Sequence, residues 1–441
     1  MGVMEDVRAG ASAAWRLAEG ATLREVIDVG APAAWTGLDA GVRAETTYYS
    51  PFQVVAWEHS EGGRALTASL RKGAPLTASQ LAVALCHRDG RVRAAALDQV
   101  DGCPEVLPLV VVRCADWAEP VRDRARRRLE ELLDTERAVT LLPVVLRVGR
   151  RERGGFAAGL VEGLLRGAPR DVLTRLSTDA DRAVRRYGCR LAVEQRLLTP
   201  AELAHAAARD TDAVVQTLYA DAVLAAARRS GAYDDVLGPL LGARNPRVRS
   251  TGVTALRPAG RPRDALPFLT DRSGLVRACA RYVVRQGGTD PLAWYRTRCA
   301  APDDPALPPG AAIGLAECGQ RADAELLWPL LAHPAAAVRA QAVAGLRVLD
   351  TADVRRLWPL LDDPAPGVVR EVTLAVLPSA ELVPGEWLAE RLDAGWPRHV
   401  RLAAFRLLLV RGEALRQRAL LAFRDDPDGL LRERAARAAL R

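Results

Sequence analysis

The sequence predicts an all-α solenoid, about twelve two-helix repeats behind an N-terminal helical cap, and three observations predict it. A Val-Arg step, preceded by a turn rich in Asp, Asn or Pro, returns about every 31 residues, and self-similarity at such a period is the signature of a repeat array. A proline within an apolar run lies upstream of the step in nearly fixed phase: nine residues before it at Pro143, Pro239, Pro267 and Pro329, and ten at Pro359. Finally, 441 residues exceed what one ordinary core holds. Hydrophobic residues make up 49% of the chain but aromatics only 5%, which suits helices packed through small side chains.

Taken in order, residues 1–80 lack the Val-Arg step and read as a separate cap region. Helices are expected over 3–19 and 32–45, separated by breaks containing Gly or Pro. The end of a solenoid needs its apolar face covered, so this region is expected to cover the first repeat. Its aromatic group, Tyr48, Tyr49, Phe52 and Trp57, is a candidate pocket for a partner.

Residues 81–441 form the array. The step is anchored at Val92, Val121, Val184, Val214, Val248, Val276, Val338, Val369, Val400 and Leu431, and two wide gaps accommodate degenerate copies near Glu152 and Leu307. Arg follows most anchors, and Trp328-Pro329-Leu330-Leu331 recurs as Trp358-Pro359-Leu360-Leu361. Each unit therefore reads as an apolar helix with a proline, a turn, and a second helix opening near the anchor. In the copy at Val338, the residues Val338, Ala342 and Leu346 fall on one helical face. Turn acids such as Asp89, Asp181, Asp271 and Asp363 sit where an N-cap or first-turn carboxylate favours the helix start. One such pair cannot bury its apolar faces alone, which is why the unit repeats.

This pattern of apolar helix with Pro, acidic or Pro-containing turn and Val-Arg-x-x-Ala resembles HEAT repeats, especially the short bacterial type also seen in bilin lyases. The resemblance covers 81–441. It implies a ladder between repeats made by the turn acid and the Arg after Val, with the pairs Asp271 with Arg277 and Asp363 with Arg370 as members. It also implies breaks at the copies near Val214 and Leu307, which lack the Arg.

Charge is unevenly spread. The chain carries +8 overall, with 61 arginines and a single lysine, Lys72, and residues 113–300 hold +12 while both flanks are mildly acidic. Such a stretch could meet a phosphate backbone or an acidic partner. The candidate contacts are Arg124, Arg126, Arg128, Arg150, Arg186, Arg190, Arg228, Arg229 and Arg281. The seven scattered cysteines include no Cys-x-x-Cys, and no run is long and apolar enough to span a bilayer, so a reduced, cytoplasmic location is expected.

Catalytic signatures are sparse. The five histidines are dispersed, there is no HExxH, no His-Glu dipeptide of the kind HEAT-like di-iron hydroxylases use, and no phosphate loop. No metal, cofactor or catalytic residue is assigned. Two Trp-x-x-x-Asp pairs, Trp35/Asp39 and Trp358/Asp362, match the spacing of HEAT-like DNA glycosylases, yet neither lies in the basic middle. The expected function is a non-catalytic scaffold binding a protein or peptide on the concave face of the solenoid, lined by second helices. The alternative is a DNA-binding array acting through 113–300, with or without alkylpurine glycosylase activity.

Overall fold

The computed structural model describes residues 2–43 and 57–440, with the side chains of 2–7 and of His59 left aside. Tyr48, Tyr49 and Phe52 of the expected aromatic pocket therefore lie outside the described residues. Every described element is helical, so the chain is an all-α repeat solenoid. It forms two compact units, Met1–Thr199 and Pro200–Arg441.

The first unit opens with α1 (Gly2–Ala18), α2 (Leu23–Val26), α3 (Pro32–Arg43) and α4 (Glu61–Lys72). Repeats follow as α5 (Ala78–Cys86) with α6 (Gly90–Leu97), α7 (Leu107–Arg113) with α8 (Glu119–Leu132), α9 (Thr135–Val148) with α10 (Gly155–Arg166), and α11 (Arg170–Ser177) with α12 (Arg182–Glu194). α1 and α3 pair intimately because glycines let their backbones touch: a Cβ on Gly10 would lie 2.0 Å from the Gly37 carbonyl oxygen, and one on Gly41 would lie 2.2 Å from Gly10. The expected cap is more than an end cover. α3 packs on α5, α7 and α9 together, lying across three successive first helices.

The second unit runs α13 (Pro200–Arg209), α14 (Ala213–Ser230), α15 (Asp234–Leu241), α16 (Pro246–Ala255), the 3-10 helix Pro262–Thr270, α17 (Gly274–Gln286), α18 (Pro291–Cys299) and α19 (Gly310–Cys318). It continues through α20 (Ala324–Leu327), α21 (Ala336–Val348), α22 (Val354–Leu357), α23 (Pro366–Val376), α24 (Gly385–Glu390), α25 (Arg398–Leu408), α26 (Glu413–Arg424) and α27 (Gly429–Ala439). Prolines shape the first helices: after α20 and α22 the chain tightens into 3-10 turns opening at Trp328-Pro329 and Trp358-Pro359, because a proline removes an intrahelical donor. Second helices stack on their neighbours, α16 on α17, α19 on α21, α21 on α23 and α23 on α25.

One rule fixes the register: the anchor is the third residue of each second helix, half-buried at Val92 and buried at Val121, Val184, Val248, Val276, Val338, Val400 and Leu431. It corrects four sequence positions. In α14 the anchor is Val215, 1% exposed, while Val214 is 53% exposed. In α23 it is Val368, which brings Pro359 into the common phase of nine residues. The degenerate copies begin at α10 and α19, whose third residues are Ala157 and Ala312, both buried. Glu152 and Leu307 precede those helices, because interpolating a midpoint ignores the longer turns before them.

Candidate binding surface

The ladder explains most buried charge. In a standard rung the Arg after the anchor curls back over its own turn and reaches the turn carboxylate of the next repeat. Arg93 donates to the His87 and Arg88 carbonyls at 2.8 and 2.9 Å and to both oxygens of Asp116 at 3.0 and 2.9 Å. Arg249 repeats this on the Ala243 and Arg244 carbonyls and Asp271, and Arg339 on the His333 and Pro334 carbonyls and Asp363. Each carboxylate also accepts an N–H two residues on, from Ala118, Ser273 or Ala365. Planar guanidinium donors matched to a bidentate carboxylate and two carbonyls leave little buried polarity unsatisfied. Burial would raise the Asp271 carboxyl, but the Arg249 and Ser273 hydrogen bonds outweigh it and hold it below the ordinary range.

Asp271 and Asp363 thus belong to the ladder, but not with the expected partners: Asp271 takes Arg249 and Asp363 takes Arg339, while Arg277 reaches Glu317 and Arg370 is outside the ladder. With the anchor at Val368, the ladder position is Val369, and the exposed Arg370 bonds its neighbour Glu371 instead. The expected break after Val214 is bridged without charge: Gln216 sits in the Arg position, donates to the Asp210 carbonyl at 2.6 Å and accepts from the Asn245 amide at 2.7 Å. At α19 the copy has no Arg, but its Glu317 receives both Arg277 and Arg281.

Two acid positions have distinct jobs. Asp89 and Asp181 are true N-caps, whereas Asp271 and Asp363 lie two residues before the N-cap and serve the ladder. His87 supports its own turn by accepting the Asp89 N–H. Among the described residues no group of three His, Cys, Asp or Glu side chains could hold a metal, and no helix is long and apolar enough to cross a membrane.

Both Trp-x-x-x-Asp pairs are absorbed into packing. Asp39 is buried against Arg43 at 2.7 Å and Arg113, and Arg113 also meets Asp116, so a charged chain through Arg93 rivets α3 to the repeats. Burial pushes the Asp39 carboxyl up despite these partners. Asp362 is held by both arms of Arg391, whose guanidinium lies 3.4 Å from the Trp387 ring centroid, and Trp358 packs edge-on against Trp387. Trp57 meets His87 edge-on at 5.9 Å.

Of the nine arginines singled out by charge, at least six are engaged internally, Arg186 among them. Arg124 lies 3.3 Å from Asp98, Arg126 covers the Phe156 ring at 4.9 Å, and Arg128 pairs with Asp101 and Glu131. Arg190 lies within 4 Å of Glu162 and Glu194, and Arg281 bonds Glu317 at 2.6 Å. Arg186 is half-buried on α12, while Arg150, Arg228 and Arg229 are exposed.

Sequence reasoning missed a notch of about 150 Å³ between second helices at the far end of the second unit. Pro366, Val369, Arg370 and Thr373 of α23, His399, Leu402, Ala403 and Arg406 of α25, and Arg434 of α27 line it. It opens where Val369 replaces a ladder Arg. Arg406 and Arg434 are exposed and have no carboxylate partner among the described residues. Their unequal phases within their repeats gave no signal in one sequence.

No family model matches the chain, and no curated protein does. Among solved structures, an engineered protein determined as a structural-genomics target shares 15% identity over 85% of this chain and 98% of its own, with a TM-score of 0.23. Kap121p shares 14% identity over 96% of this chain, with a TM-score of 0.26; the chain spans 53% of Kap121p. At that overlap neither likeness carries a partner or an activity to this chain.

Proposed function

We propose that the chain is a non-catalytic interaction scaffold that binds an acidic protein or peptide segment on a second-helix face. The observation supporting this reading is the notch between α23, α25 and α27. There three arginines surround an apolar floor, and two of them lack an internal carboxylate. Two cations without an internal carboxylate facing one apolar floor favour an external anion there.

The test is anisotropy of a fluorescein-labelled polyglutamate peptide, run beside a labelled DNA duplex under the same salt series. We expect the peptide to bind, and Arg406→Glu with Arg434→Glu to weaken it at least about tenfold, or 1.4 kcal/mol, with an unchanged melting curve. Preferential duplex binding, lost instead on Arg150→Glu, Arg228→Glu and Arg229→Glu, would replace the scaffold with the nucleic-acid alternative.

A further inference from the structure

The first unit holds a much larger cavity, about 820 Å³, between the α1–α3 hairpin and the leading ends of α5, α7 and α9. We propose that it is a binding site for an apolar carboxylate, a ligand with a hydrocarbon or aromatic body and one acidic head. The volume falls in the range of about 300–1,000 Å³ typical of small-molecule sites.

The wall is apolar where it is deep: Leu23, Trp35, Leu107 and Leu141 are buried and face the cavity. Most polar atoms along it are already used. Thr22 and Glu25 close one capping box, and Thr77 and Gln80 another. The Ser79 hydroxyl donates to the Ala21 carbonyl at 2.7 Å, and the Trp35 indole N–H to the Val29 carbonyl at 3.0 Å. Such a wall offers dispersion and desolvation but no hydrogen bonds, so it selects an apolar body.

The rim supplies the head-group partner. Arg24 is exposed and has no partner among the described residues, and Arg137 beside the opening is tied to the Leu132 carbonyl and lies 3.6 Å from Asp134. One acid, Glu105, also lines the cavity and is likewise unpaired. With Arg137 engaged by Asp134, the exposed Arg24 guanidinium is the group that would take an anionic head, and removing Glu105, the one uncommitted acid of the lining, should strengthen that preference.

The experiment uses the full chain and a dansyl-labelled undecanoate as probe, with dodecanoate and dodecanol as competitors. We expect saturable binding at one site, displaced by dodecanoate at least about tenfold better than by dodecanol. Arg24→Glu should abolish binding and Glu105→Gln should tighten it. Thr140→Trp, at an exposed lining position, should block the site without unfolding the protein; Ala78→Trp is the second blocking variant, and a melting curve accompanies each. Equal displacement by the alcohol, binding indifferent to both blocking variants, or no binding would each overturn the assignment. Because none of these residues borders the basic notch, failure here and failure of the peptide-binding reading are separately visible.

Discussion

Arg339 and Arg370 both follow a valine, yet only Arg339 spans two repeats. Its side chain is 14% exposed and its partner Asp363 only 5%, so truncating it strands a buried carboxylate. We expect Arg339→Ala to lower stability by about 2–4 kcal/mol, read as a shift of the urea midpoint at constant slope. Arg370→Ala should cost no more than about 1 kcal/mol, because Arg370 is itself exposed and the buried Glu371 keeps Arg347 at 3.5 Å; comparable losses in the two variants would refute the corrected register. The Arg-acid ladder was legible as a set of residues. Its partners were not, because Val368-Val369 and Val214-Val215 each offer two adjacent β-branched residues: burial picks out Val215, whereas Val368 and Val369 are both buried and only the helix start at Pro366 makes Val368 the anchor. Gln216 with Asn245 was illegible for another reason: an amide pair replaces the charges that marked the pattern.

At the scale of elements, glycine has opposite consequences in two helices. On α3, Gly41 lies where a Cβ would meet the α1 backbone at 2.2 Å, and backbone cannot swing aside as a flexible side chain would. Gly41→Ala should therefore cost about 1–3 kcal/mol through forced separation of α1 and α3, checked by thermal melting and amide exchange in both helices. Gly163, inside α10, has open space around its would-be Cβ. Gly163→Ala should stabilise by roughly 0.5–1 kcal/mol through helix propensity and reduced unfolded-state freedom; destabilisation would show that α10 is packed more closely than described. The helix pairs were readable from periodicity, and α1 and α3 from their breaks. That α3 crosses three first helices was not readable, because the glycines permitting it carry no side chain to pattern. The cavity was hidden likewise, since its lining comes from five separated stretches of chain.

Across the whole molecule, the two units should differ in their response to acid. In Pro200–Arg441, the Arg296 hydrogen bond lowers Asp323. Burial raises Asp271, Glu317 and Asp426, but their arginine bonds more than offset it, and all finish below the ordinary range. A carboxyl depressed in the fold contributes stability above its unfolded value, about 4, and that stability is lost as pH falls through the folded value. In Met1–Thr199, burial moves Asp39 the opposite way, so protonating it in the same window favours the fold, while the exposed Glu25 is held down by its hydrogen bonds from Thr22. Amide protection should therefore disappear first from Pro200–Arg441 between about pH 4 and 2; earlier loss from Met1–Thr199 would contradict this. The standard rungs bear on heredity as well. Donor and acceptor of each lie in different repeats, Arg249 with Asp271 and Arg339 with Asp363, so a gene that loses or copies one repeat joins a donor to a turn that was never its mate. Between standard repeats the new turn still offers an equivalent carboxylate; a junction made against Gln216 or Val369 would instead leave a guanidinium or carboxylate orphaned. Array length can then change cheaply among the standard rungs and not across the copies at Gln216 or Val369, which lack the matching donor.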